Sequence, residues 1–163
     1  MQQRKTTNYL IARLGLQRRL GREAVDWAVD QLSQGKDTPH LRQLAGMTGI
    51  ENDFELDEML YRALSELGVV IPDHDSAIII LAQELAHDYL AGGIDRQNLL
   101  KQLCDLCIET GYHDDLYPFY LLRWTDADLK GYGEAHYWKD ATPENFEELL
   151  REEIRTLLAI QRS

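Results

Sequence analysis

The amino-acid sequence predicts an all-α fold. Three observations carry that expectation: apolar residues recur at helical spacing through most of the 163 residues, no Asn-Gly or Asp-Gly hairpin signal occurs, and the run Ile78-Ile79-Ile80 belongs to an apolar pattern too long for a strand. The expected architecture is a single domain, 1–163, of about seven to eight helices, forming an irregular bundle or a short solenoid-like stack of helical hairpins.

Weaker helical patterns cover residues 8–20, 23–34 and 39–45. Residues 54–67 place Leu56, Met59, Leu60, Ala63, Leu64 and Leu67 on one stripe, and Gly68 supplies the stop. In the stretch 75–92, apolar residues run from Ala77 to Ala82 and on through Leu85, Ala86, Tyr89 and Leu90. Only Gln83, Glu84, His87 and Asp88 interrupt them, which predicts a central helix with a narrow polar strip facing solvent. Residues 96–110 turn Leu99, Leu100, Leu103, Cys104, Leu106 and Cys107 inward. A helix over 116–130 follows, with Tyr117, Tyr120, Leu121 and Trp124 as its expected core face, and Thr142-Pro143-Glu144 opens the last helix.

An internal similarity relates Trp27–Leu41 to Leu85–Leu99. Both stretches read helix, Gly, any residue, Asp, helix, with Gly35 matching Gly93 and Asp37 matching Asp95. That pattern predicts a left-handed glycine closing one helix and an aspartate capping the next. It is open to two origins, a duplicated helix pair or the common chemistry of such junctions.

Charge is distributed unevenly. Residues 1–22, read as a basic N-terminal helix, hold Arg4, Lys5, Arg13, Arg18, Arg19 and Arg22, whereas all 28 acidic residues fall in the acidic body 23–163 and the whole chain carries −11. A surface of this sign repels phosphate backbones and anionic lipid and attracts a basic protein. Direct nucleic-acid binding and membrane association are therefore not expected, and a homo-oligomer stays open. Two cysteines are too few for a disulfide scaffold, no apolar run reaches the roughly 20 residues of a membrane span, and a cytoplasmic location is expected.

The catalytic vocabulary is thin. Gly131-Tyr-Gly133 is too short for a phosphate or dinucleotide loop, the serines at 33, 65, 76 and 163 lie in no nucleophile motif, and no cofactor is implied. Cys104-Asp-Leu-Cys107 has metal or redox spacing but lacks a second ligand pair, and it lies on a leucine face as a small hydrophobe would. Glu84-Leu-Ala-His87 has the i, i+3 spacing of di-iron bundles without a second copy. With Asp88 it defines the alternative reading, a metal-dependent enzyme with its site on the central helix.

The most unusual segment runs from Tyr112 to Trp138. Its Tyr132, His136, Tyr137 and Trp138, set among Asp126, Asp128 and Glu134, suit recognition of a basic protein, because rings supply contact area and carboxylates select Lys or Arg. The competing expectation is a loop that folds back and plugs the core.

Glu23-Ala-Val-Asp-Trp27-Ala28, Gly35-Lys-Asp37, Leu41-Arg-Gln-Leu44-Ala45-Gly46 and Glu66-Leu67-Gly68 together resemble a pattern in uncharacterised small bacterial all-helical proteins. In size and composition the chain is also similar to the immunity proteins that neutralise bacterial toxins. The resemblance implies a non-enzymatic, acidic, protein-binding module, an immunity-type inhibitor of a basic toxin or nuclease, and it carries over no functional residue.

Overall fold

A computed structural model describes residues 6–161 of the protein. Among them lie eight α-helices and no strand: α1 (Thr7–Gly15), α2 (Arg22–Ser33), α3 (Pro39–Ala45), α4 (Asp53–Glu66), α5 (His74–Leu90), α6 (Arg96–Glu109), α7 (Tyr117–Tyr132) and α8 (Phe146–Leu158). No helix among the described residues is long and apolar enough to cross a membrane. The chain divides into two compact units, one ending at Ala77 and the other beginning at Ile78, so that α5 runs across the boundary.

The amino-terminal unit is built on the leucine stripes of α1 to α4. Leu10, Leu14, Trp27, Leu41, Leu44, Leu60 and Leu64 share one core, and the Trp27 indole donates to Thr7 Oγ1 at 3.0 Å, which fixes α2 against the start of α1. Local chemistry sets the helix ends. Thr6 Oγ1 accepts from the Tyr9 amide and Asn52 Oδ1 from the Glu55 amide, each satisfying a donor that the first turn leaves free. Between α3 and α4, the Glu51 carboxylate accepts from the amides of Thr48 (2.7 Å) and Gly49 (2.8 Å). Those bonds hold its pKa down at about 2, against an ordinary value of 4.5.

The basic N-terminal helix expected over 1–22 is shorter than its charge pattern suggested. α1 stops at Gly15, and Gln17 at φ 58° turns the chain into the left-handed region. Gly15 is itself required, because a Cβ there would lie 2.7 Å from both Ala77 Cβ and the Pro72 carbonyl oxygen. Arg13 pairs with Glu23, Arg19 with Asp53 and Arg22 with Asp26, so these cations are matched by carboxylates of the same unit. Arg4 and Lys5 lie outside the described residues.

In the carboxy-terminal unit, the α5 residues from Ile78 to Ala86 are all buried except Glu84. The predicted solvent-facing polar strip is corrected here. Gln83 is buried, and its carboxamide donates to the carbonyl oxygens of Leu157 and Ile160, both at 3.0 Å, capping the C-terminal turn of α8. Asp88 is buried too, whereas His87 is exposed.

The two predicted hairpins differ in detail. Gly35 takes the left-handed conformation at φ +89°, but Asp37 accepts from Arg42 at 3.1 Å instead of capping α3. After α5 it is Gly92, not Gly93, that is left-handed, at φ +82°. Asp95 caps α6 as expected, its Oδ1 accepting from the Asn98 amide at 2.7 Å. α8 begins later than expected, at Phe146. Thr142 and Asn145 cap each other reciprocally in the turn before it, Thr142 N to Asn145 Oδ1 at 2.7 Å and Asn145 N to Thr142 Oγ1 at 3.2 Å.

Candidate functional site

The site is built on α7 and the loop that follows it. This helix carries two apolar stripes at helical spacing, and the structure buries the one formed by Phe119, Leu122, Thr125, Asp126 and Leu129. The expected core stripe is thereby corrected: Trp124 is 39% exposed, Tyr117 43%, and Tyr120 and Leu121 are half-buried. The buried stripe includes a charged residue. Asp126 lies on the buried stripe at 7% exposure, and a carboxylate can lie there only with cations beside it.

Arg96, the first residue of α6, is one of those cations. Its guanidinium lies 3.3 Å from Asp126, 3.7 Å from Glu147 and 4.8 Å from the centre of the Phe146 ring. Lys130 completes the pairing of Asp126 at 2.9 Å. Glu147 in turn accepts from the Tyr89 hydroxyl at 2.6 Å and from Arg151 at 3.0 Å. Burial, followed by the bond to Glu147, pushes the Tyr89 phenol up to about 12, so it stays a donor. Four helices, α5 to α8, are thus joined by one polar network.

Turned outward by this arrangement is a ladder of rings. Tyr117 and Tyr120 stack with centroids 5.7 Å apart, Tyr112 meets Tyr120 edge-on at 5.5 Å, and Tyr120 meets Trp124 edge-on at 6.3 Å. Arg123 lies over the Trp124 ring at 5.3 Å. Exposed aromatics that already hold one another in place lose little side-chain freedom on binding.

The residues that the sequence groups as a loop lie in several environments, and Asp126, Asp128 and Tyr132 belong to α7, which runs to Tyr132 and not to 130 as expected. Tyr132 is 80% exposed, Tyr137, His136 and Glu134 are exposed, and Trp138 is half-buried. Asp128 is half-buried and accepts from the His136 amide at 3.4 Å. Asp126 faces inward, into the network described above. The loop is therefore neither a complete plug nor a fully exposed patch.

A groove of about 280 Å³ opens between α6 and α7, lined by Leu100, Lys101, Arg123, Trp124, Asp126 and Lys130 among others. Cys104 and Cys107 lie on the buried face of α6 without a disulfide, and burial pushes the Cys107 thiol up to about 11, which leaves it protonated and unreactive. Glu84, His87 and Asp88 do not come together as a ligand set. Among the described residues no group of three or more His, Cys, Asp or Glu side chains is placed to hold a metal ion.

Sequence reasoning missed Arg96 as an organising residue and the ring ladder as a surface. The available signal was Asp126, a carboxylate at a core position of α7, which requires a cation from another helix. Comparison of the chain with protein-family models, with curated proteins and with solved structures returned no match.

Proposed function

We propose that this chain is a non-enzymatic, acidic protein-binding module, an immunity-type inhibitor of a basic toxin or nuclease. The observation that carries the reading is the stack of Tyr117 and Tyr120 on α7, met edge-on by Tyr112 from the turn before the helix. Tyrosine and tryptophan are the residues that most often anchor protein interfaces. Asp114 and Asp115, between the first two rungs in sequence, are exposed, as are Glu134 and Asp140 beyond the helix. A chain charge of −11 speeds encounter with a basic surface, and the rings then hold the complex.

The test places a photo-activated cross-linking residue at Tyr117, and separately at Tyr137, in cells that express the chain, and identifies the adducts by mass spectrometry. The expected adduct at Tyr117 is a basic protein whose affinity for the purified chain falls at least about tenfold with Tyr117→Ala plus Tyr112→Ala and declines with added salt. Adducts formed only with a second copy of the chain, or a partner whose affinity ignores both substitutions, would overturn the reading.

A further inference from the structure

The groove between α6 and α7 holds an excess of positive charge inside an acidic chain. Asp105 is shared by Lys101 at 2.7 Å and Arg123 at 3.5 Å, and Asp126 is shared by Lys130 at 2.9 Å and Arg96 at 3.3 Å. Each carboxylate thus serves two cations. Including Glu147 and Arg151 does not alter the imbalance, since they add one charge of each sign. An ammonium carries three donors and a guanidinium five, more than these shared contacts use.

Trp124 and the buried Leu100 supply apolar lining to the same groove. A flat apolar ring beside cations with spare donors selects a flat ligand that carries an anionic group. At about 280 Å³ the groove lies just below the usual range of drug-sized ligand sites, which limits the ligand to one or two fused rings. We infer that the groove formed by Leu100, Lys101, Arg123, Trp124 and Lys130 is a binding site for a small aromatic anion, a ring system bearing a carboxylate or a phosphate. This inference does not rest on the protein-binding function, because the ligand is a small molecule and the cations, not the tyrosine rungs, select it.

The test is a titration of isotope-labelled protein, following its three indole N–H signals, with 1-naphthoate, 1-naphthyl phosphate and the neutral 1-naphthalenemethanol. Trp124 should shift with an anion, while Trp27, buried and bonded to Thr7, stays still. An anion should bind at least about tenfold more tightly than the neutral alcohol, since charge-assisted bonds to Arg and Lys are lost with the charge. The tighter of the two anions identifies the head group, phosphate or carboxylate. Arg123→Gln and Lys101→Gln should each weaken binding about fivefold or more, and Lys36→Gln, in the other unit, should leave it unchanged. Lys101 is exposed and Arg123 half-buried, and either variant alone suffices if the other fails to fold. Equal affinity for the neutral alcohol, a shift of Trp138 in place of Trp124, or no shift at about 5 mM of either anion would overturn the assignment.

Discussion

The guanidinium of Arg96 lies 3.3 Å from the buried carboxylate of Asp126, and this pair joins α6 to the face of α7 that turns inward. Breaking it by removing one partner leaves a buried charge with a single cation. Arg96→Ala is expected to cost about 2–4 kcal/mol of folding stability. Replacing both residues by leucine should cost less than the two single changes together, because no charge is then left unpaired. Chemical denaturation of the two single variants and the double variant measures this. Strict additivity would show that the pair does not organise the unit.

Trp124 and Phe119 lie on different faces of α7, one exposed and one buried. Phe119 is fully buried, so Phe119→Ala is expected to cost about 3–5 kcal/mol. Trp124→Ala should cost no more than about 1.5 kcal/mol, the loss of an exposed ring and its edge-on contact with Tyr120. Thermal melting of the two variants side by side separates them. Equal losses would mean that the aromatic ladder is core.

Gly93 and Asp88 make a steric pair. A Cβ at Gly93 would lie 1.8 Å from Asp88 Oδ1, so Gly93→Ala must push the carboxyl aside and is expected to cost about 1–3 kcal/mol. Adding Asp88→Ala should recover most of that loss. Failure to recover it would place the strain in the backbone of the α5–α6 turn.

Asp88 also predicts a response to pH. Its Oδ2 is buried with no hydrogen-bond partner among the described residues, and burial followed by the Glu84 charge raises its pKa. A carboxyl with a raised folded-state pKa favours the fold while protonated, and that contribution is lost as pH rises through the folded value. Asp88→Asn should therefore melt higher than the parent at neutral pH, with the difference shrinking below pH ~4, where both are uncharged. A lower melting temperature at neutral pH would show that the charge is stabilised in place.

Glu51 should behave in the opposite sense. Its pKa is held at about 2 by the Thr48 and Gly49 amides, so its contribution is present above the ordinary carboxylate range and is lost as pH falls from 4.5 toward 2. Glu51→Gln should flatten the acid limb of a melting-temperature profile across that window. An unchanged acid limb would rule out the carboxylate as the tie that closes the loop between α3 and α4.

The helices themselves were legible in the sequence because helical periodicity and capping are local. The stripe of α4 from Leu56 to Leu64, the leucine and cysteine face of α6 and the Asp95 cap need only near neighbours along the chain, and each lies where the pattern puts it. The exposure of Tyr132, at the end of α7, and of Tyr137 is one of the two outcomes that the sequence left open, a patch or a plug of the core. What the sequence could not decide was which of two equally helical stripes on α7 meets the core, or whether Gln83 and Asp88 face water. Those choices depend on groups far away in the chain: Arg96 for Asp126, and the carbonyls of Leu157 and Ile160 for Gln83. A polar side chain is driven out of the core by default, and only tertiary structure supplies the partner that reverses the sign.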